Sequence, residues 1–123
     1  MKNNKNIVPV IVYVNMYTSK KNIWKDNKEI SGIYRLVNII TGESYIGSSK
    51  SLSKRFTKYY YWNNLKNLSN KIPRLISKSI IEYGYLNFNL EILEYCEPDL
   101  LLEREQFYID LLNPEYNMHK IVN

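Results

Sequence analysis

The chain has 123 residues and a formal net charge of +5, a length that fits one compact domain with an attached arm. With 45% hydrophobic and 14% aromatic residues it has the apolar side chain to bury a core, which excludes wholesale disorder. Its longest apolar stretch, residues 7–14, is interrupted by Pro9 and is far short of the roughly 20 residues that span a bilayer, so no transmembrane helix is expected.

Residues 1–29 contain six lysines and two acids. They read as a basic N-terminal arm able to carry one edge strand. The apolar run is not followed by a small-residue cleavage site, and the Asn/Lys-rich start lacks the arginines of an imported presequence. Two β-rich runs follow, 30–38 and 44–48, on either side of a turn through Ile39, Ile40, Thr41 and Gly42, and they predict a hairpin. An even-numbered loop sets Tyr34 and Tyr45 on one sheet face, because directly opposed antiparallel residues share a face. Ser49 or Ser51 can cap a helix running to about Lys66, with Leu52, Phe56, Tyr59 and Asn63 along one side. A second helix is predicted over 73–83, stopped by Gly84.

The alternation of residues 88–95 predicts a third strand, and Pro98 suits the first turn of a helix that ends near Asn113-Pro114. On that helix Leu101, Glu105, Tyr108 and Leu112, and likewise Leu102, Glu105 and Ile109, recur at helical spacing, which sets Glu105 inside the apolar stripe. Glu103 shares its side with Asp99 and Asp110 and reads as a solvated acid. A carboxylate on a core-facing stripe is costly unless it is paired, hydrogen-bonded or bound to metal, so Glu105 is the acid that demands an explanation.

Charge is distributed unevenly. Residues 50–78 hold Lys50, Lys54, Arg55, Lys58, Lys66, Lys71, Arg74 and Lys78 and no acid, whereas residues 82–115 hold nine acids and Arg104 as their one base. Tyr59, Tyr60, Tyr61 and Trp62 interleave with the cations, a combination suited to a polyanion. The single cysteine, Cys96, permits neither an internal disulfide nor a cysteine-based zinc cluster, and His119 is the one histidine, so no histidine-based metal finger can be assembled. Neither a Gly-rich phosphate loop nor a LAGLIDADG helix is present. The abundance of Asn, Ile, Lys and Tyr, the scarcity of Arg and the complete lack of Ala follow A/T-rich codons and point to an organelle-type genome, such as a mitochondrial one. The position of the tyrosines, not their number, therefore has to carry a functional argument.

Gly32-Ile33-Tyr34 followed by Tyr45-Ile46-Gly47 resembles the motif that names the GIY-YIG nucleases. The resemblance extends in order and spacing through Ser48, Leu52 and Arg55, Tyr83-Gly84, Glu103-Arg104-Glu105 and Asn113-Pro114-Glu115-Tyr116-Asn117. It covers about residues 31–118 and is nearest to the mitochondrial intron-encoded homing endonucleases. It implies an α+β GIY-YIG nuclease fold, with a central three-stranded antiparallel sheet flanked by helices, and a division into an arm (1–29), a nuclease domain (30–118) and a short tail (119–123).

The resemblance also implies roles. Tyr34 matches the tyrosine that helps deprotonate the attacking water. A free phenol has a pKa near 10, so nearby cations or metal-bound water must favour its phenolate. Tyr45 matches the tyrosine that orients phosphate or water, and Tyr59 a position that contacts the leaving group or scissile phosphate. Arg55 matches the catalytic arginine, whose planar fork can stabilise charge on two nonbridging oxygens. Glu105 matches the single metal-binding carboxylate, holding Mg²⁺ (or Mn²⁺) against the phosphate. Gly32 and Gly47 match close-approach positions at substrate or a neighbouring strand, and Asn117 a family asparagine near the site. Lys54 and Lys58 are assigned to the phosphate backbone.

The expected substrate is DNA, most simply a duplex, cut by water to leave 5′-phosphate and 3′-hydroxyl ends, with no membrane and no small-molecule cofactor involved. Homing enzymes of this family usually carry a separate DNA-binding module after the nuclease domain, whereas this chain ends soon after Asn117, so duplex association is expected to be weak and salt-sensitive. The competing expectation is a catalytically degenerate nucleic-acid-binding module.

Overall fold

Asn38 is the reason the first two long strands fold back on each other. Its side-chain carbonyl accepts from the backbone N–H groups of Ile40 at 2.9 Å and Thr41 at 3.3 Å, while its own carbonyl accepts from Gly42 at 2.7 Å. Gly42 sits at φ +81°, a left-handed conformation that costs glycine little. The computed structural model describes residues 7–66 and 72–122. In it this turn joins β2 (Gly32–Asn38) to β3 (Ser44–Ser49). Asn38 N–H donates to the Glu43 carbonyl at 2.9 Å, so four positions, 39–42, separate this last pair and preserve parity, with Tyr34 opposite Gly47 and Leu36 opposite Tyr45. Tyr34 and Tyr45 share a face, as the even loop requires.

On its other side β2 pairs with β4 (Phe88–Tyr95), antiparallel, with a register shift between Ile33 and Tyr34. An outer strand, β1 (Ile11–Tyr13), pairs with β4 and completes the order β1-β4-β2-β3. The three predicted strands are neighbours in a four-stranded sheet with β3 at one edge, and the fourth, at the other edge, is the strand that the N-terminal apolar run could supply.

Two layers of helix cover this sheet. One face, bearing Tyr34, Leu36, Phe88, Leu90 and Ile92, packs against residues of α1 (Lys20–Asp26), α2 (Leu52–Tyr59) and α4 (Arg74–Tyr83), with Ile23, Phe56, Tyr59, Ile76 and Ile80 buried between them. The opposite face, bearing Ile33, Ile46 and Leu93, packs on Leu101, Tyr108 and Ile109 of α5 (Leu101–Leu112). Alternation along β2 divides the two cores cleanly, Ile33 to one and Tyr34 to the other. Burial of these side chains stabilises the fold by about 1.5–3 kcal/mol each before entropy is counted. Among the described residues, no helix is long and apolar enough to cross a membrane.

Three local expectations are corrected. The helix predicted to run to Lys66 breaks after Tyr59 and resumes as α3 (Trp62–Lys66). The Tyr85 hydroxyl takes the Tyr59 carbonyl at 2.5 Å and the Tyr60 hydroxyl donates to the Met16 carbonyl at 2.6 Å, so tertiary bonds displace the next helical turn. The side chain of Asn63 and the whole of Lys71 lie outside the described residues. Leu102, placed on the apolar stripe of α5, is 54% exposed, because that helix meets the sheet through the narrower line of Leu101, Tyr108 and Ile109. Residues 11–27, expected as an arm, are built into the domain. Met16 and Ile23 are buried, the Tyr13 hydroxyl donates to Asp26 at 2.9 Å, and the Tyr95 hydroxyl donates to the side-chain amide oxygen of Asn27 at 2.8 Å.

The outer edge of β3 is closed by the C-terminal segment. Ser44 N–H donates to the Glu115 carboxylate, Tyr116 N–H donates to the Ser44 carbonyl, and the Asn117 amide both accepts from Ile46 N–H and donates to its carbonyl, each at 2.9 Å. Asn117 acts as a one-residue strand, satisfying backbone groups that an edge would otherwise expose. Asn117→Ala strips two buried partners from fully buried Ile46 and is expected to lower stability by about 2 kcal/mol, read as a lower urea midpoint at unchanged m-value.

Candidate active site

The geometry of the site begins at Gly47. A Cβ at that position would lie 2.6 Å from both Cζ and the hydroxyl oxygen of Tyr34. The absence of a side chain on β3 thus lets the Tyr34 ring lie across the sheet, and glycine is needed there for space. Phe56 of α2 closes on the ring edge-to-face at 5.0 Å between centroids, and Tyr45 flanks it at 6.3 Å. The Tyr34 and Tyr59 hydroxyls are 2.8 Å apart, with both side chains fully buried. Arg55 stands one helical turn before Tyr59 on α2, so the helix that delivers one phenol to Tyr34 delivers the guanidinium beside it.

Glu105 reaches the group from the other layer. Its carboxylate accepts from the Ser48 hydroxyl at 2.5 Å, and Ser48, opposite Ile33, is on the α5 face of the sheet. Tyr45 and Glu105 nevertheless line one open cavity of about 350 Å³, together with Arg74, Asn117 and His119. The carboxylate and the phenols therefore meet around β3, the outermost strand on that side, and not on one face.

Electrostatics unite the cluster. Burial holds the Tyr34 hydroxyl above the ordinary phenol range, while Arg55 and the hydrogen bond to Tyr59 pull it back and Glu105 raises it. Tyr59 is raised further, first by burial and then by Tyr34 and Tyr45, and Tyr45 is raised mainly by burial. Of the hydrogen-bonded pair, Tyr34 is the one whose phenolate is less disfavoured, because Arg55 and the Tyr59 hydrogen bond both lower it. Burial outweighs Arg55, so further positive charge is needed before the phenolate is favoured. Arg55 is itself held more firmly protonated, chiefly by Tyr34. Burial raises Glu105 despite the Ser48 bond and the attraction of Arg55, both of which lower it.

For a divalent cation the donor set is sparse. No group of three or more His, Cys, Asp or Glu is assembled among the described residues. A lone carboxylate fits Mg²⁺, which keeps most of its waters and takes substrate oxygens, and does not fit a caged zinc ion.

The structure brings Tyr34, Tyr45, Arg55, Tyr59 and Glu105 together. It places the other residues differently. A Cβ on Gly32 would meet the Glu94 carbonyl oxygen at 2.5 Å, so this glycine serves the contact of β2 with β4. Gly47 seats Tyr34, and the Asn117 amide bonds the backbone of Ile46 while the residue also lines the cavity beside Tyr45 and Glu105. Lys54 and Lys58 stand exposed one turn apart on α2, available to phosphates. Sequence reasoning gave no role to Ser48, Arg74 or His119. Alternation opposite Ile33 could have directed Ser48 toward α5, whereas nothing local brings Arg74 to the rim beside Glu105.

Comparison with known proteins gives a consistent picture. Residues 30–117 match the model of the GIY-YIG catalytic domain. The chain is 32% identical over 126 aligned positions to a probable intron-encoded endonuclease bI1 of Neurospora crassa, covering 94% of this chain and 27% of that protein. It is 33% identical to intron-associated endonuclease 1 of Enterobacteria phage T4, over 76% of this chain and 37% of that protein. The UvrABC system protein C of Rickettsia rickettsii is also 33% identical, over 76% of this chain and 13% of its own length. The chain thus spans roughly a third or less of the relatives it matches. Among solved structures, the catalytic domain of homing endonuclease I-TevI superimposes with a TM-score of 0.60 at 30% identity, over 72% of this chain and 98% of that one. An alanine variant of the same catalytic domain gives 0.62 at 28% identity.

The strained carboxylate has a measurable signature. Because burial raises Glu105 in the folded state, its stabilising contribution is full below the unfolded carboxyl range and is lost as pH rises through the folded value. Glu105→Gln is therefore expected to melt at a higher temperature than the parent protein at pH 7, with the difference shrinking as pH falls toward about 4. Calorimetry of both proteins across that range checks the sign.

Proposed function

The chain belongs to the GIY-YIG catalytic-domain family, and we propose that it is the nuclease domain of a homing-type, intron-encoded endonuclease that hydrolyses DNA phosphodiester bonds with Mg²⁺ or Mn²⁺. The observation that carries this reading is the convergence of Tyr34, Tyr59, Arg55 and Glu105 from three elements widely separated in sequence onto one cluster. The names of the relatives support intron-encoded homing, and the basic helix beside the cluster supports a phosphate-rich substrate. The A/T-rich composition supports an organelle genome, such as that of a mitochondrion, as the source of the chain.

Residue by residue, the chemistry divides as follows. Arg55, half-buried and firmly protonated, binds nonbridging phosphate oxygens and stabilises the charge that builds on them as water attacks. Tyr45 borders the cavity and orients the phosphate. The Tyr34 hydroxyl positions the attacking water, and the Tyr59 hydroxyl, 2.8 Å away, stabilises any negative charge that Tyr34 takes up. Glu105, with its orientation fixed by Ser48, would hold the cation. When bound, the cation supplies Lewis acidity at the phosphate and the positive charge that burial of Tyr34 demands. Lys54 and Lys58 attract the backbone of a duplex without reading bases, so association is weak and falls steeply with salt.

Nicking of supercoiled plasmid tests the assignment. The parent protein should nick with Mg²⁺ and not with EDTA. Arg55→Ala should lower the rate at least about a hundredfold, the size of effect expected when one positioned charge-stabilising donor is removed. Glu105→Gln should abolish metal dependence together with nicking, and Tyr34→Phe should cost more than Tyr59→Phe. Unchanged nicking in Arg55→Ala and Glu105→Gln would reject the mechanism, and DNA binding without nicking under any metal would establish the non-catalytic module instead.

A further inference from the structure

The side of α2 turned toward the N-terminal segment plays no part in that chemistry, yet it borders a shaped surface. Between α1 and α2 lies an open groove of about 380 Å³ whose lining includes Ile23, Phe56, Trp24, Tyr60 and Tyr61. Its floor, Ile23 and Phe56, is buried, whereas Trp24 is 47% and Tyr61 60% exposed. A single exposed ring needs no explanation, but two large rings edging one apolar slot form a patch suited to a flat partner.

Charge narrows the partner. Lys20 and Lys21 also line the groove. The Lys20 ammonium lies 4.9 Å from the Tyr17 ring centroid and 5.3 Å from that of Tyr60, and the Lys28 ammonium lies 5.1 Å from the ring of Trp24. Asp26, the acid of α1, is engaged by the Tyr13 hydroxyl. Rings interleaved with ammonium groups suit a base that can stack and phosphates that can pair, a chemistry found where proteins hold unpaired nucleic-acid strands.

Position narrows it further. At 100° per residue around α2, the side chains pass from Arg55 through Lys58 and Lys54 to Thr57, which lines the groove. The two exposed lysines form a track leading from the arginine of the cluster to the aromatic slot. One wall of the slot precedes residue 30, where the family match begins, so it is an addition to the matched domain.

We propose that the groove between α1 and α2 is an accessory nucleic-acid site, in which an unpaired base of a single DNA strand packs against Trp24 and Tyr61 while its flanking phosphates lie on Lys20, Lys21 and the Lys54–Lys58 track. It goes beyond the phosphodiesterase reading and is tested without it, because strand binding is measured in EDTA, where no cleavage is expected.

The experiment is fluorescence anisotropy of the full chain with a short labelled oligothymidylate and with an abasic strand of the same length, in EDTA. The parent protein should bind the base-bearing strand more tightly. Trp24→Ala should weaken that binding about five- to a hundredfold, the loss of one stacked base, and bring it level with the abasic strand. Trp24→Tyr, which keeps a ring and preserves packing, should stay near the parent affinity. Circular dichroism and an unchanged melting temperature exclude unfolding of Trp24→Ala. Equal affinity for base-bearing and abasic strands overturns the proposal, as does parent-like binding by Trp24→Ala. A concentration-dependent dimer that Trp24→Ala dissolves, with oligonucleotide affinity untouched, would assign the groove to a second copy of the chain and likewise overturn it. Loss of plasmid nicking with intact, Trp24-dependent strand binding would count against the nuclease reading alone.

Discussion

The bare backbone of Gly47 beneath the ring of Tyr34 is the constraint from which the rest of the site follows. A side chain at position 47 would occupy the space of the phenol, whose Cζ and hydroxyl lie 2.6 Å from where a Cβ would stand. With the ring lying across β3, its hydroxyl reaches Tyr59, Phe56 packs against its edge, and α2 is fixed in the rotation that carries Arg55 inward. The glycine opposite Tyr34 is thus paired with it by register, and the two motif tripeptides form one structural unit across a hairpin.

The cluster holds its protons tightly. Three phenols and a carboxylate are all held above their ordinary proton affinities, largely by burial, with the Arg55 guanidinium as the one cation that each of them senses. Such an arrangement is poised to gain from additional positive charge and from a phosphate that engages Arg55. The surrounding fold absorbs the cost through two separate apolar cores and through the C-terminal segment, whose Asn117 closes the edge of β3 beside the cavity. The acid-rich C-terminal half is accounted for in part by ion pairs on the α5 layer, Arg35 with Glu91 and Arg104 with Glu94, each with N···O below 3 Å. On the other layer the basic α2 remains open, so the two faces differ in the partner they can attract.

Particular residues show why some of this was legible and some was not. The shared face of Tyr34 and Tyr45 follows from loop parity alone, and Glu105 announced itself as an acid on an apolar stripe, because periodicity is a local property that sequence carries directly. The break after Tyr59 was hidden, since it arises from hydroxyls of Tyr85 and Tyr60 reaching partners distant in the chain. The same reason hid the bonds of Asn117, whose amide pairs with the backbone of Ile46 while the residue borders the cavity. Residues 11–27 were misjudged because a short edge strand and a seven-residue helix have too little pattern of their own, and only packing on β4 and α2 gives them a place.

What the sequence determined by itself was the inventory and its spacing: two strands with an even turn, a helix bearing Arg55 and Tyr59 one turn apart, and an inward carboxylate on the last helix. These depend on interactions between near neighbours. What the tertiary structure alone decided was the meeting of the two layers. Glu105 approaches from the face opposite the phenols and joins them around β3, and burial, not proximity to Arg55, sets the proton affinity of Tyr34. Both outcomes depend on distances and dielectric shielding between segments far apart in the chain, which no local pattern encodes.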